Sequence, residues 1–135
     1  MIGRNNILNI RYSKRNRWLG QDGQRRGFCN FKSFSYCVRA GLILFCYSYR
    51  RQGLDTVEGI INRFAPPSEN NTERYISFVC RKSFYNRDEP LNHIFDYCSV
   101  LQWMVKFETG FDLGSDKIYE IYKHFNIRFY EKVKS

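Results

Sequence analysis

The sequence predicts a mainly α-helical, α+β fold in a single domain, residues 1–135, with short β elements near the N-terminus. Three observations carry that expectation. Beyond Ser33, apolar residues recur at three- and four-residue spacing, the mark of helices that bury one face. Residues 1–27 are instead basic, Asn-rich and Gly-rich, with apolar side chains that alternate rather than cycle. The whole chain of 135 residues is 43% hydrophobic and 18% aromatic. That is enough apolar surface to build one core and excludes a disordered chain; the aromatic share predicts a core of Phe and Tyr.

Taken in order, Ile10–Tyr12 reads as a short strand and Trp18-Leu19-Gly20 as the anchor of a turn, with Gly20, Gly23 and Gly27 marking loops. Phe28–Phe31 alternates as a second strand. Ser33 is a plausible N-cap for a helix running to about Arg51, with Gly53 beyond its end and a stripe of Tyr36, Ala40, Ile43, Leu44 and Tyr47. This is the expected central buried helix. Asp55 or Thr56 caps a short helix carrying Val57, Ile60, Ile61 and Phe64. Thr72 is expected to cap the next, which ends near Phe84. Pro90 suits the first position of a further helix to about Glu108, burying Leu91, Ile94, Phe95, Cys98, Leu101 and Val105. Ser115 or Asp116 caps a last helix bearing Ile118, Ile121, Tyr122 and Phe125, and Asn126–Ser135 reads as a strand or a frayed tail. No internal repeat and no linker divides the chain.

Net charge is +9, and the bias is uneven: between Gly23 and Leu54 there is no carboxylate, while Arg25, Arg26, Lys32, Arg39, Arg50 and Arg51 all lie there. A positive field of this kind suits an anionic partner, whether nucleic acid, an acidic membrane surface or an anionic wall polymer. The cysteines, Cys29, Cys37, Cys46, Cys80 and Cys98, are odd in number and form no CxxC pair, so no zinc site is expected. Four of them fall in apolar helical patterns and read as small buried hydrophobes in a reducing compartment. The start lacks the apolar core of a signal peptide, and Gly41–Tyr49 is too short to span a bilayer, so neither a secretion signal nor a membrane span is expected. Walker and GxGxxG patterns are missing, and no cofactor is expected.

The chain is organised around Ile61–Val79, INRFAPPSENNTERYISFV. Pro66 and Pro67 forbid helix and drive Ala65 extended. Ser68, Glu69, Asn70 and Asn71 then form a polar loop held stiffly between two apolar helices, a setting in which loops commonly carry function. The simpler role is a well-capped helix–loop–helix corner.

Several stretches resemble one family. NNILNIRYSKRNRWLGQ is similar to the NNNPxNIRY…W.GQ opening of small phage and prophage proteins labelled lysin or virion structural protein. GFCNFKSFSYCVRA resembles their GF..FDSPE.G.RA stretch, and GLDTVEGIINRFAPPSENNTERYISFV resembles GL.TV..II.RWAPPSEN.T..YI..V. The resemblance covers about Arg4–Leu91, the motif-bearing part; residues 92–135 read as a helical extension that it does not reach. More distantly, the pattern is similar to bacterial glucosaminidase domains, with their NNLFGIK..W.G, F..Y.S..E and YATDPNYA-like segments in the same order. Those domains are lysozyme-like and mainly helical, with an open cleft for a sugar chain, so the resemblance implies a lysozyme-like fold that acts on peptidoglycan. Their general acid is a glutamate on a helix before the NNLFGIK-like stretch; this chain opens at that stretch, and the helix is expected to have no counterpart. Ser35 stands at the glutamate of the smaller family's DSPE segment, Lys32 at its aspartate and Ile7 at the proline of its opening.

Glycoside hydrolysis needs a protonated acid at the leaving oxygen and commonly a second carboxylate. Asp55 is more simply a helix cap, Glu58 a solvated helical residue and Glu73 a first-turn dipole partner, which leaves Glu69 as the candidate catalytic acid. Its simpler role is to accept backbone N–H groups within the loop. His93 and His124 have no ligand spacing. For sugar binding, Tyr12, Trp18 and Tyr75 offer ring faces, Asn6, Asn9, Asn70 and Asn71 offer amides, and Arg11 and Arg63 suit lactyl or phosphate groups; all could instead be turn formers and core plugs. The expected function is a phage-derived, wall-acting protein, a peptidoglycan hydrolase or its wall-binding relative, associated with the virion or delivered to the wall. The alternative is a non-catalytic virion or host-interaction protein that contacts other virion proteins or binds nucleic acid through its basic half. No RNP, KH or helix-turn-helix signature supports the nucleic-acid version.

Overall fold

A computed structural model describes residues 1–132. Its architecture is mixed, mainly helical, with one small antiparallel sheet near the N-terminus. β1 (Gln21–Arg25) and β2 (Phe28–Phe31) form a hairpin. Its two-residue turn places Arg26 and Gly27 both at positive φ, 52° and 83°, the backbone twist that tight hairpins prefer. β1 runs through Gly23, against the expectation that this glycine marks a loop. The ladder slips between Gln21 and Gln24, and Gly23, with φ of 76°, takes up that bulge. Ile10–Tyr12 contributes a single bridge rather than a strand: Arg11 pairs with Phe28, the Cys29 amide donates to the Ile10 carbonyl (3.0 Å) and the Tyr12 amide to Gly27 (2.8 Å).

The helices follow: α1 (Phe34–Leu42), continued by a π-helical segment (Ile43–Tyr49), then α2 (Val57–Phe64), α3 (Thr72–Ser83), α4 (Ile94–Thr109) and α5 (Ser115–His124). Ser33 sits at the N-cap of α1. The α1–π helix is central, as expected, but its deepest face is Cys37, Val38, Leu42, Phe45 and Cys46; of the expected stripe only Ala40 is fully buried. Thr56 caps α2 by accepting from the Gly59 amide (3.0 Å), whereas Asp55 pairs with Lys132.

Three boundaries differ from expectation. Asn71, not Thr72, caps α3: its side-chain oxygen accepts from the Arg74 amide, while the Thr72 hydroxyl turns back to donate to the Ala65 carbonyl. α4 begins at Ile94 rather than Pro90. His93 is its N-cap, and Asp96 accepts from the amides of Asn92 and His93 (both 3.1 Å). A carboxylate there reaches back to satisfy the N-cap amide and the one before it, a stronger start signal than the proline. On that helix Phe95 is exposed, its ring tilted against that of Tyr119 with centroids 4.6 Å apart, and Tyr97, Val100 and Met104 are buried in its stead. α5 is preceded by Gly114 at φ 82°, with Ser115 already helical. Asn126–Lys132 forms no regular element, and residues 133–135 of the expected tail lie outside the described residues.

The core is aromatic and aliphatic in mixture, with Phe31, Phe45, Tyr75 and Tyr97 among Leu8, Leu42, Ile60, Ile61 and Leu101. Arg50 is buried within it, donating from Nε to the Tyr130 carbonyl (2.7 Å) and from Nη1 to Leu91 (2.7 Å). Its guanidinium lies over Phe129 at 4.5 Å, so one cation ties the segment after α5 to the centre. No described helix is long and apolar enough to cross a membrane.

Candidate functional site

The NNILNI stretch folds against the hairpin, and two of its three asparagines, Asn6 and Asn9, have different fates. Asn6 is fully buried. Its Nδ2 donates to the carbonyls of Ile10 and Cys29 (both 2.9 Å), and its Oδ1 accepts from the Ile10 amide (2.8 Å) and the Cys37 thiol (3.4 Å). Every polar valence is used inside the protein. Asn9 is half-buried with φ of 54°, a left-handed conformation that Asn tolerates, and its Nδ2 donates to Glu108 Oε2 at 3.1 Å.

Glu108 was not singled out by any pattern in the sequence. It lies in the last turn of α4, half-buried, and desolvation pushes its carboxyl above the ordinary glutamate range against the opposing pull of the Asn9 hydrogen bond. Close by is Tyr75, 2% exposed, whose hydroxyl finds no hydrogen-bond partner among the described residues. Burial and the Glu108 charge push that phenol well up, so it stays protonated, a donor held ready. Tyr75 stacks on Phe107, the neighbour of Glu108, at 4.2 Å between centroids. Its ring face is therefore taken, and what it has left to offer is its hydroxyl.

Two residues along from Asn9, Arg11 reaches the central loop and pairs with Glu69 at 3.0 Å, both side chains about half exposed. The Arg11 guanidinium also lies over Phe28 at 5.1 Å. Asn9 and Arg11 can be no more than roughly 7 Å apart between Cα atoms. A single backbone segment thus holds two carboxylates, Glu108 through Asn9 and Glu69 through Arg11. The loop itself is braced: the Glu69 amide donates to the Pro66 carbonyl (3.1 Å), Asn70 Nδ2 donates to the same carbonyl (3.3 Å), and Asn71 is the α3 cap.

The other expected binding residues are not gathered here. Tyr12 and Trp18 line a separate open cleft of about 490 Å³ with Ser13, Lys14, Asn16, Arg17 and Gln21. Arg63 lies over Tyr49 at 5.7 Å. Among the described residues no cluster of three His, Cys, Asp or Glu side chains could hold a metal. The cysteines are unpaired, and burial pushes Cys37 and Cys98 up to about 12 and Cys46 higher still, which leaves them protonated and unreactive.

No protein-family model matches the chain. The chain is, however, similar to a bacteriophage protein. That relative is Protein P5 of Pseudoalteromonas phage PM2, 42% identical over 84 residues, which are 62% of this chain and 51% of the relative. The chain spans about half the length of the curated protein it matches.

Proposed function

We propose that the chain is a phage-derived, virion-associated protein that cleaves the glycan strand of bacterial peptidoglycan, with Glu108 as general acid. The observation that carries this reading is the Glu108 carboxyl itself: half-buried, raised above its usual range, hydrogen-bonded to Asn9 and beside a buried phenol. A carboxyl whose proton burial holds more tightly than usual is better suited to donate it to a glycosidic oxygen. In the reaction the C–O bond to the leaving sugar breaks, the Glu108 proton passes to the leaving oxygen, and a water oxygen bonds to the anomeric carbon. Glu69, held by Arg11, is the second carboxylate and takes the proton that the water loses. The resemblance to glucosaminidases supports the assignment. There the acid glutamate precedes the NNLFGIK-like stretch; here the glutamate hydrogen-bonded to the NNILNI stretch comes from α4, later in the chain. The likeness to a phage protein supports the origin.

Release of soluble muropeptides from purified peptidoglycan tests the assignment. Wild type is expected to release fragments, Glu108→Gln to fall by about 100-fold or more, and Glu69→Gln to fall as well, each variant folding normally. Full activity in a folded Glu108→Gln variant would remove the acid from this reading. If wild type releases nothing but sediments with peptidoglycan, the chain is a wall-binding protein without catalysis.

A further inference from the structure

Next to the candidate site runs a groove of about 610 Å³ between α3 and α4, lined by Arg74, Ser77, Phe78, Arg81, Lys106 and Phe107. Arg74, Phe78 and Arg81 recur at four- and three-residue steps, so they share one face of α3. Lys82 adds a fourth cation at the rim, its ammonium 5.9 Å from both the Phe78 and Trp103 rings. Among the described residues none of these cations meets a carboxylate, whereas Arg4, Arg11, Arg87, Lys117 and Lys132 all do. Glu73, the acid of the α3 first turn, is engaged by Arg87 instead. Lys106 donates only to the Gly110 carbonyl (2.9 Å). Like charges concentrated along a groove repel one another and destabilise the fold slightly, and an anion in the groove relieves this.

The groove also continues the candidate site. Phe78 lies 5.4 Å from Phe107, and Phe107 stacks on Tyr75, whose unpartnered hydroxyl lies by Glu108. An unbroken aromatic run thus leads from the acid into the basic groove.

Resting on the hydrolase reading above, we propose that this groove is the subsite for the carboxylate-bearing side groups of the wall polymer flanking the cleaved bond. Arg74, Arg81 and Lys106 meet the carboxylates with charge-assisted hydrogen bonds, and Phe78 and Phe107 receive the apolar faces between them. The groove fixes which bond of the strand lies over Glu108.

The test reads binding apart from cleavage. Full-length Glu108→Gln, alone and combined with Arg74→Gln and Arg81→Gln, is co-sedimented with intact peptidoglycan and with the same material after its carboxylates have been converted to amides. Both substituted arginines are exposed, so an unchanged melting temperature is expected. Amidation should weaken binding of the Glu108→Gln protein about tenfold, and the arginine substitutions should weaken binding to intact wall by a similar factor. On amidated wall the arginine substitutions should make no further difference, the non-additivity of partners in one contact. Equal losses on both walls, or no loss on either, would overturn the proposal. So would displacement from intact wall by single-stranded DNA at a concentration that matches the wall in charge, which would make the groove a nucleic-acid site. Failure of the catalytic assignment leaves a different trace: Glu108→Gln would then retain muropeptide release whatever the arginines do.

Discussion

Asn6 and Asn9 occupy equivalent places in the motif, and only their partners reveal their work. Asn6 spends both ends of its amide on the backbone and on Cys37, and so staples the NNILNI turn to β2 and α1. Replacing it with Ala strands buried donors and acceptors, each costing about 1–3 kcal/mol. Asn6→Ala is therefore expected to lower stability by about 3 kcal/mol in denaturant titration, with any loss of activity following loss of fold. An Asn6→Ala protein as stable as wild type but unable to bind wall would instead make this asparagine a ligand contact. The sequence pattern marked both asparagines as amide suppliers because it reports residue type and spacing, and neither one measures burial.

Between elements, a close approach within the core falls at Gly41. A Cβ there would lie 2.5 Å from Leu8 Cδ1 and 3.3 Å from Leu101 Cδ1, both in fully buried side chains, so α1, α4 and the N-terminal stretch meet where only hydrogen fits. Gly41→Ala is expected to cost about 1–3 kcal/mol despite the better helix propensity of alanine, and thermal unfolding would read the loss. A gain in stability would mean that the stretch is free to move away from α1. The elements most legible in the sequence were those whose signals are local. β2 followed alternation, and α2 and α3 followed apolar periodicity with a polar cap within a residue of the expected position. β1 was hidden because its glycine reads as a breaker unless the bulge is known. The π-helical segment was equally silent. Its widened turn leaves carbonyls free, and that of Cys46 accepts from the Tyr130 amide at 3.0 Å, a long-range contact that no local pattern encodes.

At the level of the whole molecule, the candidate site exists only because distant parts meet. Asn9 and Glu108 are 99 positions apart and no local pattern couples them, whereas Glu69 stands out on the loop of a contiguous motif. Half of the arrangement, the Glu69 loop and the Arg11 stretch, was visible as motif; the other half depends on how α4 packs beneath the N-terminus. That packing makes a prediction with a definite sign. The Asn9 amide stabilises the ionised form of Glu108 and so opposes the upward push of burial. Removing it in Asn9→Leu should raise the Glu108 carboxyl further and keep it protonated to higher pH. If Glu108 donates the proton, the alkaline limb of the rate profile for muropeptide release should move to higher pH in Asn9→Leu, even while looser positioning lowers the maximum rate, by about tenfold at most. A merely structural asparagine would lower the rate by the same factor at every pH. A limb that moves to lower pH would show that the group titrating in the profile is not Glu108, because no loss of a hydrogen bond to a carboxylate makes that carboxylate more acidic.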